Sequence, residues 1–120
     1  MNQHLLPNHA HAQKARSAAA LAALHFVFVH ICDLWEIFEL VEEAGDTRGR
    51  DALIELSGLE MPPPETIRVK IDALRDVLAD VPFEKLEQLS IQGDAPLELS
   101  ARVDWHGARI SELATRLALV

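Results

Sequence analysis

From Asn8 to Ala44 the chain contains neither glycine nor proline, and the residues that bracket this stretch, Pro7 and Gly45, are types that often open and close a helix. An unbroken helix over that span would be about 55 Å long at about 1.5 Å per residue, well beyond the diameter of a domain of this size. The stretch reads as one helix, or as two joined near Ser17. It must either bend or project from the body and meet a partner.

Its apolar residues are arranged for burial. At about 100° per residue, Leu24, Val27, Phe28, Ile31, Leu34, Trp35, Phe38 and Val41 fall on one side, and His25, Asp33, Glu36, Glu39 and Glu43 on the other. Leu21, Leu24, Phe28, Ile31, Trp35 and Phe38 also follow the alternating three- and four-residue spacing of a coiled-coil seam. The face Leu24, Phe28, Ile31, Trp35 and Phe38 is therefore expected to form either the core of the domain or the interface of a homodimer.

Downstream, Asp46 or Thr47 can cap a short helix that ends at Gly58, with Ala52, Leu53 and Leu56 as its apolar side. Met61-Pro62-Pro63-Pro64 is a rigid extended joint. Ile67, Ile71, Leu74, Leu78 and Val81 then recur at helical spacing. A short helical piece follows Pro82, and Gly93 and Pro96 mark a turn. Leu97, Leu99, Ala101, Val103 and Trp105 alternate with polar residues, the two-residue period of a strand. The expected architecture is thus mostly α: a single compact helical domain over residues 1–120, with residues 1–7 flexible, built around one long N-terminal helix. A small β-hairpin is expected near residues 88–105, and a closing helix carries Ile110, Leu113, Ala114 and Leu117.

Composition narrows the classes of function. Eleven Lys and Arg against 19 Asp and Glu give a formal charge of −8, a field that repels phosphate backbones and anionic lipid head groups. Neither direct nucleic-acid binding nor membrane binding is expected. The single cysteine, Cys32, cannot form an internal disulfide and fits a cytoplasmic protein. Lys14 and Arg16 precede an apolar run from Ala18 to Cys32 in the order of a secretory signal. His25 and His30 interrupt that run, however, and no cleavage site of small residues follows before Asp33.

The chain has no glycine-rich phosphate loop, Cys-x-x-Cys pair, His-Glu-x-x-His or Gly-x-Ser-x-Gly elbow, and neither enzymatic activity nor a cofactor is expected. His25, Cys32 and Glu36 are candidate metal ligands on the polar side of the long helix, but no paired motif elsewhere completes a set, and a solvated acidic face explains them more simply. His30 lies inside the apolar face and needs a partner, for which Asp104 or a backbone carbonyl is available. Asp33, Glu36, Glu39, Glu42 and Glu43 form the largest patch of one sign. These features describe a non-enzymatic acidic interaction or regulatory protein that binds a basic protein partner through those five residues, acting as an inhibitor or a chaperone-like adaptor of the kind mobile elements carry. The alternative is a helical protein that binds a metal or small ligand on the polar face of the long helix.

Overall fold

The computed structural model describes residues 5–58, 60–85 and 96–120, with side chains described from residue 11 and, in the last stretch, from residue 99. The stretch without breakers is helical but is not one rod. Helix α1 spans Leu5–Val29 and α2 spans Ile31–Glu43; the two are bent by 78° at His30, whose backbone sits at φ −108° and ψ 19°. The chain passes Ser17 without a break, so the expected single long helix is found only in part, and the joint lies well beyond Ser17.

Sharp kinks usually arise at Pro or Gly, or where a group inserts into the backbone ladder. Here neither breaker is present. Every residue from His25 to Ile31 is instead aromatic, β-branched or His, the types that lose rotamer freedom against a preceding helical turn. The His30 ring is packed 4.5 Å from Phe26 and 5.2 Å from Trp105, centroid to centroid. Tertiary packing thus bends a segment of weak helical preference.

Helix α2 stops where the sequence places Gly45. With φ at 107°, Gly45 donates its N–H to the Glu42 carbonyl at 2.8 Å, and Asp46 donates to Val41 at 3.2 Å, which is the Schellman arrangement. Helix α3, Arg48–Leu56, follows at once; the Asp46 carboxylate accepts the Arg48 backbone N–H at 3.0 Å, while Thr47 makes no side-chain cap. The three prolines then set an extended joint, with Pro63 at φ −63° and ψ 155°, and Pro64 opens α4, Pro64–Ala79. Ile67, Ile71, Leu74, Val77 and Leu78 of α4 are all buried, because α4 packs on α1, on α3 and on the last helix, α5, Pro96–Leu119. The centre of the core is therefore α4 rather than the N-terminal helix.

The expected hairpin is corrected by α5. Residues 88–95 lie outside the described residues, but residues 96–105 are helical. Leu99, Val103, His106, Ile110, Ala114 and Leu117 are buried at spacings of three and four, one side of a helix that runs from the expected hairpin into the expected closing helix without a break. Residues four apart share a helix face and also satisfy a two-residue alternation, so Leu99 and Val103 fit both periods. Ala101 and Trp105, which a strand would bury with them, are exposed. Of the piece expected after Pro82, residues 83–85 are helical and residues 86–89 lie outside the described residues.

Two glycines should respond oppositely to alanine. A methyl group on Gly49 would stand 2.1 Å from the ring of Phe38, whereas one on Gly107 would meet Leu78 at an ordinary 3.8 Å. Gly49→Ala is expected to destabilise the fold by about 1–3 kcal/mol through overpacking. Gly107→Ala is expected to stabilise it by about 0.5–1 kcal/mol through helix preference. Thermal denaturation of the two variants checks both signs.

Candidate functional site

Two clusters of polar side chains flank α2. At its start, α2 is tied to α5. The Asp33 carboxylate lies 2.7 Å from Nε2 of His106 and also accepts from Arg102, whose guanidinium reaches Glu36 at 2.7 Å. An ionised carboxylate can only accept, so Nε2 carries the proton in that bond. His106 is 2% exposed, and its Nδ1 is buried without a hydrogen-bond partner among the described residues. Around it stand Phe26, His30 and Trp105, with ring centroids 6.1, 5.4 and 4.9 Å from the His106 ring. The Arg109 guanidinium lies over Trp105 at 4.4 Å, within cation–π range.

This cluster joins residues that the sequence did not bring together. The buried histidine that takes a carboxylate is His106, not His30, and its partner is Asp33, not Asp104. His30 is half-buried, and its ring contacts are to Phe26, Trp105 and His106. The signal for His106 was its place between Val103 and Ile110 in the helical period of α5.

The second cluster lies at the end of α2. Arg50 of α3 donates to Glu42 at 2.7 Å and stands 5.8 Å from the Trp35 ring centroid. With Glu39 and Glu43 they line an open groove of about 380 Å³. Of the five acidic residues expected to bind a partner, Asp33 and Glu36 pair with Arg102 and Glu42 pairs with Arg50. Among the described residues, Glu39 and Glu43 pair with no cation. They are exposed, one turn apart in the last part of a helix that has no basic residue in its last turn.

The other candidates separate. Of the expected core or dimer face, Leu24 and Phe38 are buried, Ile31 and Trp35 pack partly buried against the core, and Phe28 is 49% exposed. The bend at His30 divides the seam, and Phe28 turns outward. His25 is on α1, whereas Cys32 and Glu36 are on α2 beyond the bend; all three are exposed. Among the described residues, no three His, Cys, Asp or Glu side chains are grouped so as to hold a metal ion, and no single helix is long and apolar enough to cross a membrane.

The hydrogen bond from His106, with support from Arg102, holds the Asp33 carboxyl below the usual carboxylate range against the opposing effect of partial burial. A depressed folded value means stability that is present above the ordinary Asp range and is lost as pH falls through the folded value. Asp33→Asn should therefore cost about 1 kcal/mol near neutrality, allowing for solvent screening. The gap to the parent protein should close below about pH 4, as urea denaturation at several pH values would show. No protein-family model, curated protein or solved structure matches this chain, so its function has to be read from these contacts.

Proposed function

We propose that this chain is a non-catalytic interaction protein whose α2 face receives a basic segment of another protein at Glu39 and Glu43. One observation carries the proposal: the end of α2 is electrostatically unfavourable in the isolated chain. Carboxylates one turn apart repel, and negative charge near a helix C-terminus opposes the helix dipole. Arg50 relieves Glu42 alone, and the rest of the strain stays at a solvent-facing groove. Helices α3 and α4 also end without a basic residue and carry Glu55 and Asp76 near their C-termini. Glu55 is paired with Lys70 and Asp76 with Arg75, however, whereas no cation of the described residues compensates Glu39 and Glu43. A Lys or Arg side chain entering the groove would relieve the repulsion between Glu39 and Glu43.

The buried side of α2 supports this role. Leu34, Ile37, Phe38 and Val41 are buried in the core, and Gly49 of α3 abuts Phe38, so the carboxylates are held on a rigid element, which favours selective charge recognition. A regulatory or inhibitory role is consistent with a rigid surface without reacting groups.

Replacing both residues, Glu39→Gln with Glu43→Gln, should raise the stability of the isolated protein by about 0.3–1 kcal/mol while weakening its binding to a labelled lysine-rich peptide about tenfold or more, read by fluorescence anisotropy at low salt. A control of matched charge, Asp104→Asn with Glu112→Gln on α5, should bind as the parent does. Equal loss in both double variants would mean that net charge alone attracts the peptide, and would refute this site.

A further inference from the structure

The groove at the end of α2 already holds a cation of its own. Glu39, Glu42 and Glu43 of α2 line it together with Arg50 of α3, around a volume of about 380 Å³. Arg50 reaches into it from a fixed root, because its neighbour Gly49 is buried and abuts Phe38 of α2. The side chain itself is partly exposed. Its guanidinium carbon lies 5.8 Å from the centroid of the half-buried Trp35 ring, near the outer limit of about 6 Å for a cation–π contact.

Arg50 is held less well there than Arg48 and Arg68 are held by their own partners. Arg48 grips Asp46 with both Nε and Nη2, at 3.0 and 2.8 Å, and Arg68 grips Glu65 with the same two nitrogens. Such two-point forks are the strong form of the pair. Arg50 meets Glu42 through Nη1 alone, at 2.7 Å, while its Nε is buried with no hydrogen-bond partner among the described residues. A buried N–H without an acceptor raises the free energy of the arrangement, and a one-point pair between partly exposed groups adds little to stability. Arg50 is thus a loosely held occupant, beside two carboxylates, Glu39 and Glu43, that pair with no cation among the described residues.

We infer that Arg50 is an internal stand-in for an arginine of the basic partner, which displaces it from Glu42 and Trp35 on binding. The inference rests on the reading of the α2 groove given above, and adds the residue type recognised and the contact that restrains recognition. Displacement exchanges like for like at Glu42 and Trp35, so little is lost there. The gain comes from an incoming guanidinium that is free to fork a carboxylate, and from the return of the Arg50 Nε to water. A lysine is the poorer occupant, because its ammonium is a strongly hydrated point charge that neither forks a carboxylate nor stacks flat on a ring. Arg50 therefore acts as a threshold, holding off weakly basic segments and yielding to one that carries arginine.

Fluorescence anisotropy at low salt tests this with two labelled peptides of equal length and charge, one rich in arginine and one in lysine. The proteins are the parent, Arg50→Gln and the charge-matched control Arg75→Gln on α4, with circular dichroism verifying that each variant keeps its helix content. The parent should prefer the arginine peptide about threefold or more. Arg50→Gln should bind that peptide about fivefold more tightly than the parent does, and Arg75→Gln should bind it as the parent does. By NMR, the Arg50 Nε–H of the parent, identified by its loss in Arg50→Gln, should exchange with water faster once the arginine peptide is bound. No gain in Arg50→Gln, the same gain in Arg75→Gln, equal binding of the two peptides, or slower exchange at Nε overturns the inference. The α2 site outlasts any of these results if Glu39→Gln with Glu43→Gln still weakens binding, whereas binding indifferent to Glu39 and Glu43 overturns both.

Discussion

The course of the N-terminal half depends on Asp33. One turn beyond the bend, its carboxylate holds both His106 and Arg102 and so fixes α2 against α5 across a joint that no proline or glycine enforces. A joint made by packing rather than by a breaker is only as firm as the contacts on its two sides. Phe26, His30 and Trp105 supply the apolar contacts, and the carboxylate supplies the directional one. Burying a histidine almost completely with no partner for Nδ1 among the described residues has a free-energy cost, so this polar contact serves geometry more than stability. It sets where α2 points, and therefore where its acids are displayed.

Charge is sorted along the bent pair of helices. The same bend that carries Asp33 and Glu36 to Arg102 leaves Glu39 and Glu43 facing solvent near Arg50. All five acids lie on α2, beyond the bend, and the places of Arg102 and Arg50 along that helix divide them. Asp33, Glu36 and Glu42 are paired within the chain, while Glu39 and Glu43 meet solvent with no cation among the described residues. The charge that a partner meets on α2 is therefore concentrated near its C-terminal end.

Much of the fold was legible because local signals agreed with one another. Gly45 ended α2, the prolines opened α4, and Ile67, Ile71, Leu74 and Leu78 were buried at the spacing that named them. Two features failed for separate reasons. The bend at His30 had no breaker to announce it, and its trace was a run of weak helix formers whose outcome depended on Trp105, far along the chain. In α5, Leu99 and Val103 satisfied two periods at once, and only the continuation through His106 and Ile110 separates them. The contact between Asp33 and His106 could not be seen until both elements were placed, because nothing local to either residue names the other. The acidic patch was visible from the start, but its division into paired and unpaired members depends on where Arg102 and Arg50 come to rest.

The separation of Asp33 and His106 by 73 positions has a kinetic consequence. Closing so long a loop is entropically costly until much of the intervening chain is already ordered, whereas α3 and α4 are neighbours in sequence and can dock early. The clasp at the bend is then among the last contacts to form, and in the folded protein it belongs to a unit able to open while the α3–α4 core stays closed. The direction of α2 is decided at the end of folding, and hydrogen exchange at the joint between α1 and α2 reports on a smaller cooperative unit than exchange in α4.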